Sequence, residues 1–508
     1  MTGITARSRS GLAVRPRQVI LAAFLLAGAV VLSWQALANM NQPTRGVVWA
    51  SLALATYAAG LLCLVGGGEK WLGLSRWWFG SWILAWYGVA FGLASLTWVQ
   101  PQIGTSAEIA TSSVIRALWL VAVGMTLWVV GYLMGPGQPT KRLGIKAMAA
   151  LSARFAPEVR SPLTPWVLFA IGTAASIVGA ITTGQFGYVG DVQSTITTAS
   201  GYQQWLDLLS LCGPLAVAAA ALQVHRERVP GARATLIVLF VAEIAFGAAA
   251  GNKENFVITI LAAAIPFTAT RRKINVGLLA FAALTFLLII VPFTQAYRST
   301  ARNASGTLPI GQAVEAIPGI LKETIETGNF GGIISSSTSI LLSRIREIDG
   351  PAIIVQRTPT QIGFLSPVQL VEAPVIDLVP RALWPGKPIL DSGYEFSQEY
   401  YELPSTVYTS SAITPVGDLY RHGGWIPVIV GMYFLGWGTR LLDDALDVAG
   451  DPHSMFLFLL LFPILVKQED DWAGTLTGIP GTMVIWLLAV YLAFRKRPRP
   501  HRARPKLE

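Results

Sequence analysis

Apolar segments recur along almost the whole chain, and they constrain its fold more than any other feature. Each runs for about 18 to 22 residues, the length of helix that crosses a hydrocarbon core about 30 Å thick. Hydrophobic residues make up 53% of the sequence and charged residues only 13%, whereas a soluble domain has about 25% charged residues. A backbone in lipid has to satisfy its own hydrogen bonds, which helices do. We therefore expect an all-α, polytopic membrane bundle.

The hydropathy pattern predicts about twelve spans. They are 19–38, 46–66, 78–99, 114–134, 163–183, 205–224, 234–250, 256–270, 275–296, 425–442, 454–467 and 476–494. The chain then divides into a basic tail (1–18), a first bundle part of about nine spans (19–296), a large loop (297–424), a second bundle part of three spans (425–494) and a second basic tail (495–508). The first span also resembles a secretory signal, but an uncleaved span is favoured.

Basic residues gather in the two tails and in alternate connections between the spans. This is the positive-inside pattern, which predicts cytoplasmic termini and puts the loop 297–424 on the outer face. The same pattern accounts for the net charge of +10 without a nucleic-acid partner. Cys63 and Cys212 both lie in apolar segments, which argues against a disulfide framework or a cysteine metal site. The protein is therefore expected to be a multi-pass membrane protein.

The loop 297–424 is too long to be a simple connector. Apolar residues recur in its first part at three- and four-residue spacing, as in an amphipathic helix; they are Ile310, Val314, Ile317, Leu321 and Ile325. A small, Ser-rich stretch from Gly331 to Ile345 predicts a re-entrant or surface helix. The stretch from Thr358 to Tyr408 is rich in Pro, Tyr and Glu and is interpreted as an ordered loop.

Several basic residues fall on the predicted outer face and form a candidate anion-binding set. The strongest candidates are Lys253, Arg298, Arg302, Arg381 and Lys387. Guanidinium groups bind phosphate in a bidentate manner and stabilise charge on a phosphorylated leaving group. For Arg344, Arg346 and Arg357, pairing with local acids such as Glu347 and Asp349 is an equal alternative. Lys253 has the similar alternative of pairing with Glu254.

Asp418, Arg421 and His422 precede the tenth predicted span. Asp418 or His422 could act as a general base, since either accepts a proton near neutral pH in suitable surroundings. A structural role for His422 beside Gly423 and Gly424 is an equal alternative. Aromatic residues of the loop could stack on sugars, but the membrane interface is the favoured interpretation; they are Trp384, Tyr394, Phe396, Tyr400, Tyr401, Tyr408 and Tyr420.

Acidic residues suggest other chemistry only weakly. Two sets could bind a divalent cation, although a solvated surface is favoured for both; they are Asp443, Asp444, Asp447 and Asp451 on the inner face and Glu469, Asp470 and Asp471 on the outer face. Glu243 lies in the middle of the seventh span, where it could serve a proton path or bond to a neighbouring helix. Walker, dinucleotide, zinc-protease and paired-cysteine motifs are missing from the sequence, so no metal or cofactor is expected.

Three local motifs carry a family resemblance. They are Gly251–Asn255, Pro380–Pro388 followed by Gly393–Phe396, and Gly417–Gly424. With the large late outer loop, they resemble bacterial O-antigen or oligosaccharide repeat-unit polymerases, the Wzy type of membrane glycosyltransferase, which are related to the O-antigen ligases. The first outer connection, Asn39 to Arg45, is short and has no acid, which favours this group over other lipid-sugar transferases. The resemblance implies a GT-C-like fold.

The resemblance also implies an activity at the outer leaflet of the bacterial inner membrane. A growing glycan would pass from a polyprenyl pyrophosphate to another lipid-linked repeat unit, with inversion and without a metal. Lys253, Arg298 and Arg381 would neutralise pyrophosphate, while Asp418, Arg421 and His422 would orient or deprotonate the acceptor. The expected partners are the lipid-linked oligosaccharide and membrane lipid, with a chain-length regulator protein as a candidate. A ligase, or a transporter with charges lining a central cavity, are the alternatives.

Overall fold

The structure is a computed structural model of the 508-residue chain. It describes residues 16–497 apart from 67–69, 101–106, 187–188, 191–201, 252, 272–276, 278–289, 291–292, 295, 298–301, 304–305, 308–309, 327–341, 344, 380–382, 385, 388–391 and 405–409.

Helices account for most of the described residues. The first half of the chain contains α1 (Pro16–Ala38), α2 (Pro43–Val65), α3 (Phe79–Tyr87), α4 (Thr111–Met134), α5 (Gln138–Arg154), α6 (Thr164–Thr183), α7 (Gln203–Ser210), α8 (Cys212–Leu222) and α9 (Ala232–Ala249). The second half contains α10 (Lys253–Arg271), α11 (Ile310–Glu326), α12 (Asp349–Arg357), α13 (Gln369–Leu378), α14 (Ser392–Tyr401), α15 (Pro415–Arg421), α16 (Trp425–Ala445), α17 (Pro452–Val466) and α18 (Trp472–Ala493).

Short antiparallel strand pairs accompany the helices. They are β1 (Phe155–Val159) with β6 (Phe494–Lys496), β2 (Gln185–Phe186) with β3 (Val189–Gly190), and β4 (Arg302–Asn303) with β5 (Gly306–Thr307). The β1–β6 pair joins the end of the last helix to the connection after α5. The described strands are short and each pairs with one other strand only. The expectation of an all-α membrane bundle is therefore confirmed as a mostly helical fold with long apolar helices.

Nine helices in the described part of the chain are long and apolar enough to cross a membrane. Two of them are composite: α3 continues through a π turn to Thr97, and α7 and α8 form one helix that ends at Glu227. The shorter apolar helices Glu254–Ala269 and Pro452–Val466 coincide with two further predicted spans. The predicted span 275–296 falls largely outside the described residues, so the count of about twelve stays a prediction.

The centre of the bundle depends on small residues that let helices approach closely. A β-carbon at Gly131 of α4 would lie 2.0 Å from the carbonyl oxygen of Tyr433, and one at Gly436 of α16 would lie 1.9 Å from that of Trp128. Larger side chains at either glycine would force α4 and α16 apart. Close packing of this kind is a main source of helix association in lipid, where the hydrophobic effect between helices is weak. The two glycines therefore set the distance between α4 and α16, the helix that follows α15 in the chain.

The helix ends form two faces of the bundle. The loop face carries residues 346–379 and 410–424 together with the connection 467–471; Trp98 bonds there to Asp349 at 3.0 Å. The basic face carries α5 and the β1–β6 pair; the amide of Arg160 bonds there to the carbonyl of Ala493 at 2.7 Å.

Two aspartates of the basic face overturn the expectation of a solvated acidic surface. Asp443 is only 6% exposed, and its carboxylate accepts hydrogen bonds from the amides of Phe79 and Gly80 and from the hydroxyl of Tyr132. Asp444 pairs with Arg440 at 3.0 Å and with Lys141 at 3.5 Å. These side chains hold α3, α4, α5 and α16 together. The solvated-surface interpretation is wrong for them because Asp443 bonds to two amides at the start of α3 and Asp444 forms ion pairs with two basic side chains.

The long loop contains more helix than its composition suggests. The predicted amphipathic helix is confirmed as α11. By contrast, the stretch 358–408 was expected to be an ordered loop, and it contains α13 and α14. Pro374 lies inside α13 and Tyr-rich sequence forms α14, which is why the sequence pattern misled. Most of the predicted helix between Gly331 and Ile345 lies outside the described residues, and α5 had not been predicted.

Candidate functional site

The short helix α15 brings the three predicted catalytic residues together. Thr414 precedes it, and its hydroxyl accepts a hydrogen bond from the amide of Gly417 at 3.3 Å. Pro415 then occupies the first turn, where its missing N–H is not needed. Asp418, Arg421 and His422 follow at spacings of three and four residues, so their side chains share one face of the helix. All three are buried, at 2%, 6% and 6% exposure.

The carboxylate of Asp418 organises this face. Its Oδ1 accepts from Nε of Arg421 at 2.5 Å and lies 3.3 Å from Nδ1 of His422. Its Oδ2 accepts from the amide of Trp472 at 2.9 Å, which joins α15 to α18. Burial by itself raises the pKa of Asp418, but the Arg421 charge, His422 and the Trp472 amide together hold the pKa below its ordinary value. Asp418 is therefore an ionised anchor.

Both partners of Asp418 have nitrogen atoms that do not bond to its carboxylate. Nδ1 of His422 also lies 2.8 Å from the backbone carbonyl oxygen of Asp418. Both oxygens only accept, so Nδ1 is the donor to them and Nε2 is the ring nitrogen that is left to face a substrate. Within the described part of the chain, neither Nε2 of His422 nor the terminal nitrogens of Arg421 have a hydrogen-bond partner, and none of these atoms is sealed from solvent. We refer to Asp418, Arg421 and His422 as the Asp–Arg–His cluster.

Helix α14 forms one wall of this cluster. Arg421 lies over the ring of Phe396, with 5.9 Å between Cζ and the ring centroid. Tyr400 is fully buried and its hydroxyl lies 2.7 Å from that of Thr358. Of the predicted sugar-stacking aromatics, Phe396, Tyr400 and Tyr401 are buried together. Their rings build the wall, so the interface interpretation is wrong for these three residues.

Asp471 adds a second carboxyl beside the cluster. It begins α18, where its Oδ1 accepts from the amide of Gly474 at 2.7 Å and its Oδ2 from the hydroxyl of Ser392 at 2.7 Å. Burial and the nearby charge of Asp418 raise the pKa of Asp471, although Ser392, Gly474 and Arg421 oppose the rise. Two neighbouring carboxyls thus have pKa values displaced in opposite directions, an arrangement typical of acid–base sites.

An apolar groove of about 490 Å³ adjoins the cluster. It lies between α13, α16 and α18, and its lining includes Leu370, Val375, Leu419, Phe434 and Trp472. Leu419 follows Asp418 directly in the chain, and the amide of Trp472 donates to Asp418, so the groove and the cluster share a wall. Several side chains along it are exposed, including Phe434 at 56% and Val375 at 58%. The groove therefore opens sideways from the bundle.

The predicted pyrophosphate residues are only partly described. Arg298 and Arg381 lie outside the described residues. Lys253 begins α10 and Arg302 lies in β4; their side chains are also outside the described set. Lys387 is described, and its ammonium lies 3.3 Å from the carboxylate and 3.2 Å from the carbonyl oxygen of Asp377. It closes the end of α13, so an anion would have to compete with Asp377 for it.

Other cations of the loop face are paired with acids. Arg346 bonds to Asp349 at 2.8 Å, and Arg357 bonds to Glu402 at 2.7 Å. Local pairing, one of the two alternatives, is therefore confirmed for Arg346 and Arg357, while Arg344 lies outside the described residues. Glu254 also has a partner, Lys467, at 3.0 Å.

Lys467 was not predicted, and it bridges Glu254 and Glu469, at 3.0 and 2.6 Å. Burial by itself lowers the pKa of Lys467, but the two carboxylates raise it overall. The bridge ties the start of α10 to the connection before α18. Glu469 is thus part of an ion pair and not a solvated acid. Among the described residues, no group of three or more histidines, cysteines or acids could hold a metal ion.

Sequence reasoning missed three further residues around the cluster, Trp472, Ser392 and Lys467, and it interpreted Asp471 as part of a solvated acidic surface, whereas Asp471 bonds to Ser392 and Gly474. Trp472, Ser392 and Asp471 contact it or its neighbours, and Lys467 lies in the connection just before them. Asp471 caps α18, and a carboxylate just before a long apolar stretch is a typical helix start, but the predicted span begins only at residue 476. The contact of Ser392 with Asp471 joins residues 79 positions apart, and no local pattern indicates such a pair.

The fold and the site define a multi-pass membrane protein with a buried Asp–Arg–His cluster at one face of its bundle. Residues 178–448, more than half of the chain, match a family described as a domain of unknown function (DUF8712), and the chain belongs to this family. The matched segment includes Asp418, Arg421 and His422 and ends before α17 and α18. No curated protein and no solved structure matches the chain.

Proposed function

We propose that this protein is a membrane glycosyltransferase that polymerises lipid-linked oligosaccharide repeat units into a cell-envelope polysaccharide. The observation that carries the proposal is the way Asp418 presents Nε2 of His422 and the terminal nitrogens of Arg421 beside an apolar groove. A base, an anion-binding group and a lipid-facing groove are what a transfer from a lipid pyrophosphate requires. The resemblance described above supports the same activity.

The proposed reaction uses the cluster for acid–base work. Nε2 of His422 accepts the proton of an acceptor hydroxyl, while the acceptor oxygen bonds to the anomeric carbon of the donor sugar. The bond from that carbon to the pyrophosphate oxygen breaks, and the lipid pyrophosphate leaves with both bonding electrons. Attack from the opposite side inverts the anomeric centre. General-base catalysis of this kind contributes about 10²- to 10⁴-fold to the rate.

Arg421 and the predicted basic set would stabilise the leaving group. Charge grows on the pyrophosphate as the bond to sugar breaks, and prearranged guanidinium groups stabilise that charge more than the charge of the ground state. Asp418 holds Arg421 through Nε and leaves its terminal nitrogens for the anion. Lys253, Arg298, Arg302, Arg381 and Lys387 remain the proposed further pyrophosphate residues.

The groove would hold the hydrocarbon chain of the lipid carrier. A polyprenyl chain is apolar along its length, and the lining of the groove is apolar as well. The carrier would enter sideways from the bilayer, since the groove opens between α13 and α16. Its pyrophosphate would then reach Arg421 at the membrane surface. A chain-length regulator protein is a further proposed partner, and no cofactor is part of the proposal.

The proposal requires the loop face to lie outside the cytoplasm. The concentration of basic side chains on the other face supports a bacterial inner-membrane protein with both termini cytoplasmic. Reporter fusions test this directly: a periplasmic reporter joined after residue 363 should be active, and one joined after residue 144 should be inactive. The reverse result would end the proposal, because lipid-linked repeat units are polymerised outside the cytoplasm.

The activity itself is tested in a strain that lacks the chromosomal gene. Surface glycan should then show single repeat units without a ladder on gels, and the wild-type gene should restore the ladder. His422→Gln should fail to restore it at a normal protein level in the membrane. Unchanged ladder lengths in the deletion strain would contradict a polymerase. A complete ladder that stays on the lipid carrier would instead identify the ligase alternative.

A further inference from the structure

The basic face contains a polar crevice of about 500 Å³ that the proposed transferase reaction does not use. It lies where α6 begins, where the helix 203–227 ends, and where α18 passes into β6. Its lining residues include Arg160, Arg226 and Arg495. The crevice therefore lies at the level where three spans leave the hydrocarbon core.

Backbone contacts hold this crevice in shape. The amide of Arg160 donates to the carbonyl of Ala493 at 2.7 Å, and Nε of Arg495 donates to the carbonyl of Arg160 at 3.0 Å. Arg226 donates through Nη2 to the carbonyl of Gly450 at 3.2 Å. Gln223 donates to the carbonyl of Ser161 at 2.8 Å. The contacts of Arg226 and Arg495 each engage one guanidinium nitrogen, and the other nitrogens of both groups have no hydrogen-bond partner among the described residues.

The charges of the lining do not cancel. Three guanidinium groups face two carboxylates, Glu158 and Glu227, which leaves one positive charge. Oε1 of Glu227 is already occupied by the amide of Val159 at 2.7 Å. Among the described residues, Arg160, Arg226 and Arg495 form no ion pair with a carboxylate within 4.0 Å, and the guanidinium of Arg160 has no hydrogen-bond partner. A ligand with one negative charge would balance the site.

The surroundings indicate a lipid as the source of that charge. Leu163 and Trp166, at the start of α6, are 68% and 39% exposed. Tryptophan at a span end is typical of the membrane–water interface. Pro162 and Val229 add apolar lining next to the arginines. Basic pockets between span ends on the cytoplasmic side are suited to anionic headgroups.

We propose that the crevice lined by Arg160, Arg226 and Arg495 binds the phosphodiester of an anionic glycerophospholipid. Guanidinium groups match the geometry of phosphate oxygens, and Pro162 and Val229 contact the glycerol region. The binding site is separate from the Asp–Arg–His cluster and serves to anchor the basic face to its leaflet.

Native mass spectrometry of the full chain tests this proposal. The protein is reconstituted in nanodiscs of phosphatidylcholine with increasing phosphatidylglycerol, and the retained lipids are counted. We expect saturable retention of phosphatidylglycerol over phosphatidylcholine. Arg160→Gln together with Arg495→Gln should weaken that retention about 30-fold, the factor that corresponds to about 1 kcal/mol for each of two basic residues near an anionic surface.

A matched double variant controls for charge alone. Arg142→Gln with Lys146→Gln removes two exposed charges of α5 on the same face and should leave retention unchanged. Arg160→Gln alone should weaken retention by a smaller factor without loss of folding, since its side chain makes no contact that the fold needs.

Three results would overturn the proposal. The first is equal retention of the neutral and anionic lipids. The second is an equal effect of the α5 control. The third is saturable binding of inorganic phosphate in pure phosphatidylcholine discs without a preference for phosphatidylglycerol, which would identify free phosphate as the ligand.

Discussion

Two Asp–His pairs lie at opposite faces of the bundle, and their difference identifies the functional one. On the basic face, Nδ1 of His453 lies 2.7 Å from Oδ1 of Asp451. On the loop face, Nδ1 of His422 lies 3.3 Å from Oδ1 of Asp418 and 2.8 Å from its carbonyl oxygen. Burial raises the pKa of both carboxylates, but both pKa values lie below the ordinary value of 3.8, because Arg421 and His422 outweigh burial at Asp418 and His453 and Ser454 outweigh it at Asp451.

The two imidazoles differ in what surrounds Nε2. His453 packs against the rings of Phe155 and Phe494, with centroids 6.4 and 4.5 Å away. Its Nε2 is sealed and has no hydrogen-bond partner in the described structure. The side chain of His422 keeps 7% exposure, against 1% for His453. Burial and an acid partner are thus common to both, and only His422 keeps a basic nitrogen that a substrate could reach.

The largest expected effect comes from Asp418→Asn. The change removes the charge that holds Arg421 and His422, so glycan extension by protein reconstituted in vesicles should fall on the order of 10⁴-fold. The free energy of unfolding should also fall by about 3–5 kcal/mol, because a buried arginine loses its partner. Asp451→Asn is the control on the other face. It should lower the melting temperature but leave the rate per folded molecule unchanged; an equal rate loss in both variants would break the comparison.

His422→Gln should have the next largest effect. Glutamine keeps a polar side chain but cannot accept the proton, so the rate should fall about 10³-fold with little change in membrane level. His453→Gln should retain the wild-type rate. An equal loss of rate in His453→Gln would show that the wrong pair had been chosen.

The sequence indicated the bundle well, because lipid imposes one pattern on every span. Nine long apolar helices of the described residues lie at predicted spans. Asp418, Arg421 and His422 could also be found, since three polar residues at helical spacing precede a span. Their local spacing is what the sequence encodes.

Contacts between distant segments could not be predicted in the same way. Trp472 reaches Asp418 across 54 positions, and Ser392 reaches Asp471 across 79. Asp443 was expected to be solvated because its neighbours in sequence are acidic, but it satisfies amides of α3 that lie 363 and 364 positions away. Which atoms of His422 and His453 remain open likewise depends on tertiary packing.

Arg421→Lys sharpens the comparison by separating charge from geometry. Lysine keeps the positive charge, but it cannot bond to Asp418 through Nε and also present two terminal nitrogens to an anion. The rate should fall about 10²-fold, through a smaller stabilisation of the leaving pyrophosphate. Arg440→Lys, which keeps a charge beside Asp444 on the basic face, is the matched control and should keep the wild-type rate. A wild-type rate in Arg421→Lys would exclude a bidentate role.

The smallest expected effect is a pH dependence of stability that has opposite signs for two loop-face carboxyls. Asp418 has a pKa below its ordinary value of 3.8, so its contribution is present above that value and is lost as pH falls through the folded pKa. Asp471 has a pKa above the same ordinary value, so its contribution is present below it and is lost as pH rises through the folded pKa. We therefore expect the melting temperature of Asp471→Asn, measured on purified protein between pH 3 and 8, to rise relative to that of the wild type as pH rises. The difference in melting temperature between Asp418→Asn and the wild type should shrink as pH falls below about 3.8. If both variants kept a constant difference in melting temperature from the wild type across this pH range, the opposite pKa shifts of Asp418 and Asp471 would be contradicted.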